Sequence, residues 1–261
     1  MRRPLRSLVV CCVVVAAAGC LYYPNLGSLS DGAPTGADAS SLDVVAEARP
    51  PDGGDAGGFC QSANHAFCAD FDQGPVLSGW DSPQLDFGGT ITASSTRYVS
   101  PSTSAAILMP RRGAAAPTSY VTLNKGWPGW RHVIIDFEVY LEAPSWDTLD
   151  VNSGIFAVEF FSASNDQGIS LSAGKDYLTV GNPGTAMGGK PVPNDRWFHV
   201  QFDVDPTKGL KATIDDQVFS ATWSAQAGAS PTMRIYLGVS GFNQPAPEYR
   251  LDYDNVTVDF P

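Results

Sequence analysis

The sequence predicts an all-β fold, an antiparallel sandwich, on three observations. Apolar residues recur with period two in one segment after another. The 26 Gly, 20 Pro and 11% aromatic residues outweigh any run of helix formers, a composition suited to strands joined by many turns. The segments concerned lie in the C-terminal part of the chain, roughly two hundred residues, a length that one sandwich fills. With 43% hydrophobic and 16% charged positions, the chain as a whole is too apolar to be disordered throughout.

The first element precedes the fold. Arg2, Arg3 and Arg6 lead into an apolar run, Leu8 to Ala18, that ends at Ala17-Ala18-Gly19-Cys20. This is the pattern of a secretory signal with a small-residue cleavage site, residues 1–19. It is too short to cross a hydrocarbon core of about 30 Å as a helix. A cysteine directly after the site resembles the bacterial lipobox, in which that residue, here Cys20, is lipidated and becomes the mature N-terminus. Ala17 stands where the lipobox usually has Leu. An ordinary cleavage site that happens to precede a cysteine is the alternative. Several acyl chains make a stable anchor, each buried methylene adding about 0.8 kcal/mol. The expected location is therefore the cell envelope, at the outer membrane, with the lipid bilayer as a partner through the anchor.

Losing the three leader arginines takes the formal charge from −11 to −14. Such a chain repels nucleic acid and anionic headgroups. Residues 20–58 come next, rich in Gly, Ala, Ser, Pro and Asp, with Arg49 the one basic residue among six acids. The stretch reads as a flexible, self-repelling linker. Residues 59–261 follow as a single sandwich domain.

Within that domain Val121 and Leu123 mark an early strand. From His132 to Leu141, Val133, Ile135, Phe137, Val139 and Leu141 share one face, opposite His132, Asp136, Glu138 and Tyr140. Gly154 to Phe161 is apolar on both faces apart from Glu159, as expected of a central strand covered on both sides. Phe198, Val200, Phe202 and Val204 alternate with Trp197, His199, Gln201 and Asp203. Leu210, Ala212 and Ile214 lead through Asp215-Asp216 to Val218-Phe219, a hairpin. Met233, Ile235, Leu237 and Val239 alternate again. Leu251 and Tyr253 share a phase that Val256 and Val258 do not, which predicts a bulge near Asp254-Asn255.

Five cysteines fall to three once Cys11 and Cys12 leave with the leader, and lipidation accounts for Cys20. The remaining pair, Cys60 and Cys68, reads as a disulfide in an exported protein. The alternative takes Cys60, His65 and Cys68 as three zinc ligands, but no fourth Cys or His lies nearby.

The segment WFHVQFDVD, Trp197 to Asp205, and the LKATIDDQVF that follows from Leu210 to Phe219 resemble the laminin-G-like and concanavalin A-like jelly rolls. Tyr249 to Val258 looks like their terminal strand, and FCADFD, Phe67 to Asp72, like the first strand that pairs with it. The resemblance implies two packed, curved sheets and a concave surface that often binds glycans. Asp215-Asp216 departs from the Asp-Gly turn more usual in those families.

Some relatives with this architecture are retaining glycosidases, whose catalytic strand carries Glu, Asp and Glu at alternate positions. Here Glu138, Tyr140 and Glu142 occupy that spacing and the central Asp is lost. Asp136 and Glu138, about 6 to 7 Å apart along a strand, offer an inverting pair instead. His132 and His199, if their strands are neighbours, offer acid–base work with Asp136 or Asp203, as in some jelly-roll polysaccharide lyases. Acidic residues on a solvent-facing strand are ordinary, and a solvent-facing or packing role is the main reading of these carboxylates and histidines. No G-x-S-x-G, H-E-x-x-H or phosphate-loop motif occurs, and no cofactor is expected.

Sugar recognition needs aromatic faces for the C–H side of a pyranose, and polar groups for its hydroxyls. The candidate carbohydrate-binding residues are Trp127 and Trp130 in Gly-Trp-Pro-Gly-Trp, Trp146 in Ala-Pro-Ser-Trp-Asp, and Glu138 with Tyr140. Packing at the ends of the sandwich is the alternative for each Trp. Asp70, Asp72, Asp252 and Asp254 converge if the first and last strands pair, where a calcium ion is conceivable, although no metal site is assigned. The expectation is an exported, lipid-anchored protein whose sandwich binds extracellular or envelope polysaccharide without catalysis. The alternatives are a glycoside hydrolase or lyase on the same scaffold, and a structural or protein-adhesion module.

Overall fold

The computed structural model describes residues 58–61, 64–111, 120–143, 153–161, 167–174, 176–182, 185–205, 207–222, 232–240 and 248–261. The expected leader (1–19), Cys20, residues 21–57 of the expected linker and Trp146 lie outside the described residues. After one 3₁₀ turn, Phe59–Gln61, the elements are strands. In chain order they are Phe67–Ala69 (β1), Gln84–Leu85 (β2), Thr90–Ser94 (β3), Ser104–Met109 (β4), Tyr120–Trp127 (β5), Val133–Leu141 (β6), Ser153–Phe161 (β7), and Gln167–Ala173 (β8). They continue with Tyr177–Asn182 (β9), Thr185–Pro191 (β10), Trp197–Asp205 (β11), Gly209–Ile214 (β12), Gln217–Ala221 (β13), Thr232–Ser240 (β14) and Tyr249–Asp259 (β15).

Among the described residues these strands make two antiparallel sheets stacked as a jelly-roll sandwich. One runs β13-β12-β11-β6-β15-β4-β3, with β1 also paired to β15; the other runs β10-β9-β8-β7-β14-β5-β2. The alternation read in β6 and β11 sets the layering. Val133, Ile135, Phe137, Val139 and Leu141, with Phe198, Val200, Phe202 and Val204, are buried to the last few per cent. They face Phe156, Val158, Ile235 and Leu237 of the second sheet within one apolar core. Phe156 bridges the layers, its ring centroid 4.9 Å from Phe137 and 4.8 Å from Phe202. Tyr253 is also fully buried, and its hydroxyl donates to the Ile155 carbonyl of the opposite sheet, so a polar group inside the core is satisfied.

The first and last strands pair as the sequence suggests, Phe67 opposite Val258 and Ala69 opposite Val256. Cys60 and Cys68 are joined by a disulfide, Cα to Cα 5.6 Å. That bond removes both sulfurs from any zinc site, and His65 is paired instead with Asp259 at 2.8 Å. The expected bulge in β15 falls between Asp254 and Thr257, where Asn255 adopts φ 51°, a conformation that Asn tolerates better than most residues. In the hairpin, Ile214 pairs with Gln217, and Asp215 takes φ 51°. Its carboxylate is held by Lys190 at 3.0 Å and Arg196 at 2.9 Å, which fixes the turn without a glycine.

β7 corrects one expectation. It is central in its sheet, but among the described residues no further layer covers its outer face. A register shift between Gly154 and Phe156 turns both Ile155 and Phe156 inward, and Ala157, Glu159 and Phe161 are half-buried beside their neighbours. Glu159 there accepts a hydrogen bond from the Tyr236 hydroxyl at 2.7 Å. Among the described residues the apolar run reflects a bulge and close strand neighbours rather than a second covering layer.

Candidate functional site

The outer face of the first sheet carries the polar halves of the alternating strands, and pairing register decides which of them meet. Trp197 lies opposite Tyr140, His199 opposite Glu138 and Gln201 opposite Asp136 on β11 and β6. On the other flank of β6, Asp252 lies opposite Tyr140 and Asp254 opposite Glu138. The Tyr140 row continues through Asp252 to Ala106 of β4 and Thr92 of β3. It spans five strands, or roughly 19 Å at the ordinary strand spacing.

Trp197 and Tyr140 meet edge to face, centroids 5.8 Å apart. Both rings are half-buried on this face. The Arg97 guanidinium sits 4.7 Å from the Tyr140 ring centre, a cation–π arrangement. Arg97 also donates to Glu142 at 2.8 Å and to Asp252 at 3.4 Å. Burial pushes the Tyr140 phenol up despite Arg97. Glu142 and Asp252, outweighing the cost of burial, hold Arg97 above its ordinary value. Beside this group a cleft of about 340 Å³ opens over β3, β4 and β15, lined by Thr90, Thr92, Ser94, Thr96, Arg97 and Asp252 among others.

One row along, His199 sits between two carboxylates. Its Nδ1 is 3.3 Å from Glu138 and its Nε2 3.3 Å from Asp136, while Gln201 donates to Asp136 at 2.9 Å. The hydrogen bonds to Asp136 and then Glu138 raise His199 to about 10. Near neutral pH it is an imidazolium that donates from both nitrogens. Asp136 and Glu138 are therefore tied into an ion triad, which is not the free pair an inverting glycosidase needs. Glu142 is likewise committed to Arg97.

The loop carrying Arg97 is fastened by carboxylates. Asp254, fully buried, accepts from the backbone N–H of Val99 at 2.6 Å and of Ser100 at 3.0 Å. Burial raises its carboxyl to about 7, with Asp72 adding repulsion. Asp72 accepts from the N–H of Thr103 at 2.7 Å and from that of Ser102. The Ser100 hydroxyl is shared between Asp72 at 3.4 Å and Asp254 at 3.3 Å. Asp70 accepts from the Cys60 N–H at 3.1 Å, and Asp252 engages Arg97 and Ser104. The four aspartates considered as a calcium site are thus each engaged by backbone or side-chain donors, and no group of three metal-binding side chains occurs among the described residues.

Glu138 and Tyr140, named from the sequence, stand together on this face. Trp127 and Trp130 do not join them, because both rings serve packing. Trp130 is 8% exposed, its ring 4.2 Å from that of Phe160. Trp127 ends β5 in the other sheet and packs edge-on against Phe67 and Phe260. The turn residues around them suggest exposed loop tips, but the apolar end of the sandwich takes up the rings. The strands of His132 and His199 are indeed neighbours, yet the two histidines form separate pairs. His132 is 2.8 Å from Asp203, which lies opposite Ile134, about 13 Å along β6 from the Glu138–His199 row. Arg97 and Trp197 were not among the sequence candidates. The facing polar rows of two predicted strands carried a signal for Trp197, whereas a loop arginine had none.

No family model matches the chain, and no curated protein is recognisably similar in sequence. Similar folds occur among solved structures. An endo-β-1,4-glucuronan lyase from the fungus Trichoderma reesei matches with a TM-score of 0.60 at 12% identity, over 76% of this chain and 96% of that one. The cellulose induced protein Cip1 matches with a TM-score of 0.56 at 11% identity, over 75% of this chain and 97% of that one. At these identities the likeness is one of fold, and it places the described residues among jelly-roll sandwiches.

Proposed function

We propose that the chain is an exported protein, lipid-anchored through Cys20 in the bacterial outer membrane, whose residues 59–261 bind polysaccharide without catalysis at the Tyr140–Trp197 face. The supporting observation is the half-buried pair of rings flanked by committed polar groups, Arg97 with Glu142 on one side and Glu138 with His199 on the other. Aromatic surface for sugar C–H groups and fixed donors and acceptors for hydroxyls then lie within one row of each other. Titration calorimetry of the full chain in detergent against a glycan panel tests this. Tyr140→Ala is expected to weaken binding at least about tenfold, or roughly 1.4 kcal/mol, with the circular dichroism unchanged. Unaltered affinity would place the site elsewhere. Labelling with a radioactive fatty acid, lost in Cys20→Ser, tests the anchor.

A polysaccharide lyase on the same scaffold is the second reading, supported by the fold likeness to the glucuronan lyase and by a histidine, His199, and a tyrosine, Tyr140, on adjacent rows of one sheet face. Against it, β-elimination needs a base with a free lone pair, and His199 at about 10 holds its proton at neutral pH. Release of ultraviolet-absorbing unsaturated sugars by wild type, and its absence in His199→Ala, would establish the lyase instead.

A further inference from the structure

Resting on the carbohydrate-binding reading, we infer that this face takes uncharged glycans and rejects polyuronates. A uronate carboxylate is held by cations free to pair with it. Among the described residues the cations around the rings already have partners. Arg97 is engaged by Glu142 and Asp252, His199 by Asp136 and Glu138, Arg196 by Asp215 and Arg250 by Glu248. In the first two groups one cation meets two carboxylates, so an approaching anion encounters acceptors with no proton to give. Lys211 is exposed, but it lies opposite Asp203, level with Ile134 and about 20 Å along the strands from Tyr140.

The same arrangement suits hydroxyl groups. Each sugar O–H donates to a carboxylate oxygen, and beside Arg97 accepts from a guanidinium N–H other than those of Nη1, the nitrogen that meets Glu142 and Asp252, so an uncharged chain joins the existing pairs without breaking them. The cleft beyond Arg97 adds Thr90, Thr92, Ser94 and Thr96, hydroxyls that donate and accept alike. The Tyr140 row leads from the rings into this cleft, so one chain lying across the strands touches both. The net charge of −11 opposes polyanions at longer range as well.

The test is affinity electrophoresis of the full chain in detergent, through gels holding barley β-glucan, xyloglucan or hydroxyethyl cellulose, and through gels holding polyglucuronate, polygalacturonate or alginate. The expected result is retardation by at least one neutral glucan and at least about tenfold weaker retention on every polyuronate. Retention on the neutral glucan should change less than about twofold between low and high salt. In Glu138→Gln/Glu142→Gln each remaining cation keeps a single carboxylate, and retention on polyglucuronate at low salt should rise at least about fivefold and fall again with salt. Should that variant fail to fold by circular dichroism, the wild-type comparison decides. Polyuronate retention equal to or above that on neutral glucans overturns this inference and leaves carbohydrate binding standing. An absence of retention on every polymer overturns both.

Discussion

Replacing Asp254 with alanine removes the acceptor for the Val99, Ser100 and Asn255 backbone N–H groups and for the Ser100 hydroxyl. Val99 and Ser100 are only half-buried, so water recovers part of what they lose. A cost of about 2 to 3 kcal/mol follows for two or three weakened donors. That cost depends on pH. The carboxyl is raised in the folded state to about 7, from an ordinary value near 4, so the folded chain binds more protons than the unfolded one between those values. The wild type's advantage is therefore complete below about pH 4 and declines as pH rises through about 7, by up to roughly 4 kcal/mol for a shift of some three units. Alanine lacks this dependence. Urea unfolding followed by tryptophan fluorescence at pH 5 and at pH 8 should show Asp254→Ala clearly less stable than wild type at the lower pH, with the gap narrowed by at least about 1 kcal/mol at the higher. An equal gap, or a wider one at pH 8, would refute the account of a buried, proton-retaining carboxyl. Since Asp254 fastens the loop that carries Arg97, glycan affinity should fall in the same variant.

Phe137→Ala should destabilise by about 3 to 5 kcal/mol in urea, because its ring lies between Phe156 and Tyr253 at the centre of the sandwich. Reducing the Cys60–Cys68 bond should cost about 2 to 3 kcal/mol, and hydrogen exchange should rise first in β1, which pairs with β15 over only three residues. His199 is raised from 6.5 to about 10, so its contribution is complete below about 6.5 and lost as pH rises through about 10. Its side chain is 39% exposed, and screening by water keeps the loss to less than about 1 kcal/mol. The titration should appear in the His199 imidazole nuclear magnetic resonance shifts and move toward the ordinary value in Asp136→Asn/Glu138→Gln.

The elements legible in the chain were those whose local pattern had a single physical reading. Alternation in β6 and β11 separates a buried row from a wet one whatever lies next to it, and the phase change at Asp254 to Val256 can only be a bulge if both halves face the core. Gly154 to Phe161 was ambiguous, because a run apolar on both faces fits either a covered strand or a strand with a bulge. Trp127 and Trp130 were ambiguous for a related reason. Glycine and proline mark where the chain turns, but not whether the large side chains between them point to water or close the end of the core.

By itself the sequence determined the all-β sandwich, the Cys60–Cys68 pairing, and the polar rows that hold Glu138, Tyr140 and His199, because each depends on residues close together along the chain. Tertiary structure decided which rows became neighbours. It placed Trp197 beside Tyr140, set His199 between Asp136 and Glu138, and brought Arg97 over a ring more than forty residues away in the chain. Strand order and register follow from burying many apolar faces at once, a global optimum that no single segment encodes, and the candidate site is made of the polar groups which that packing happens to align.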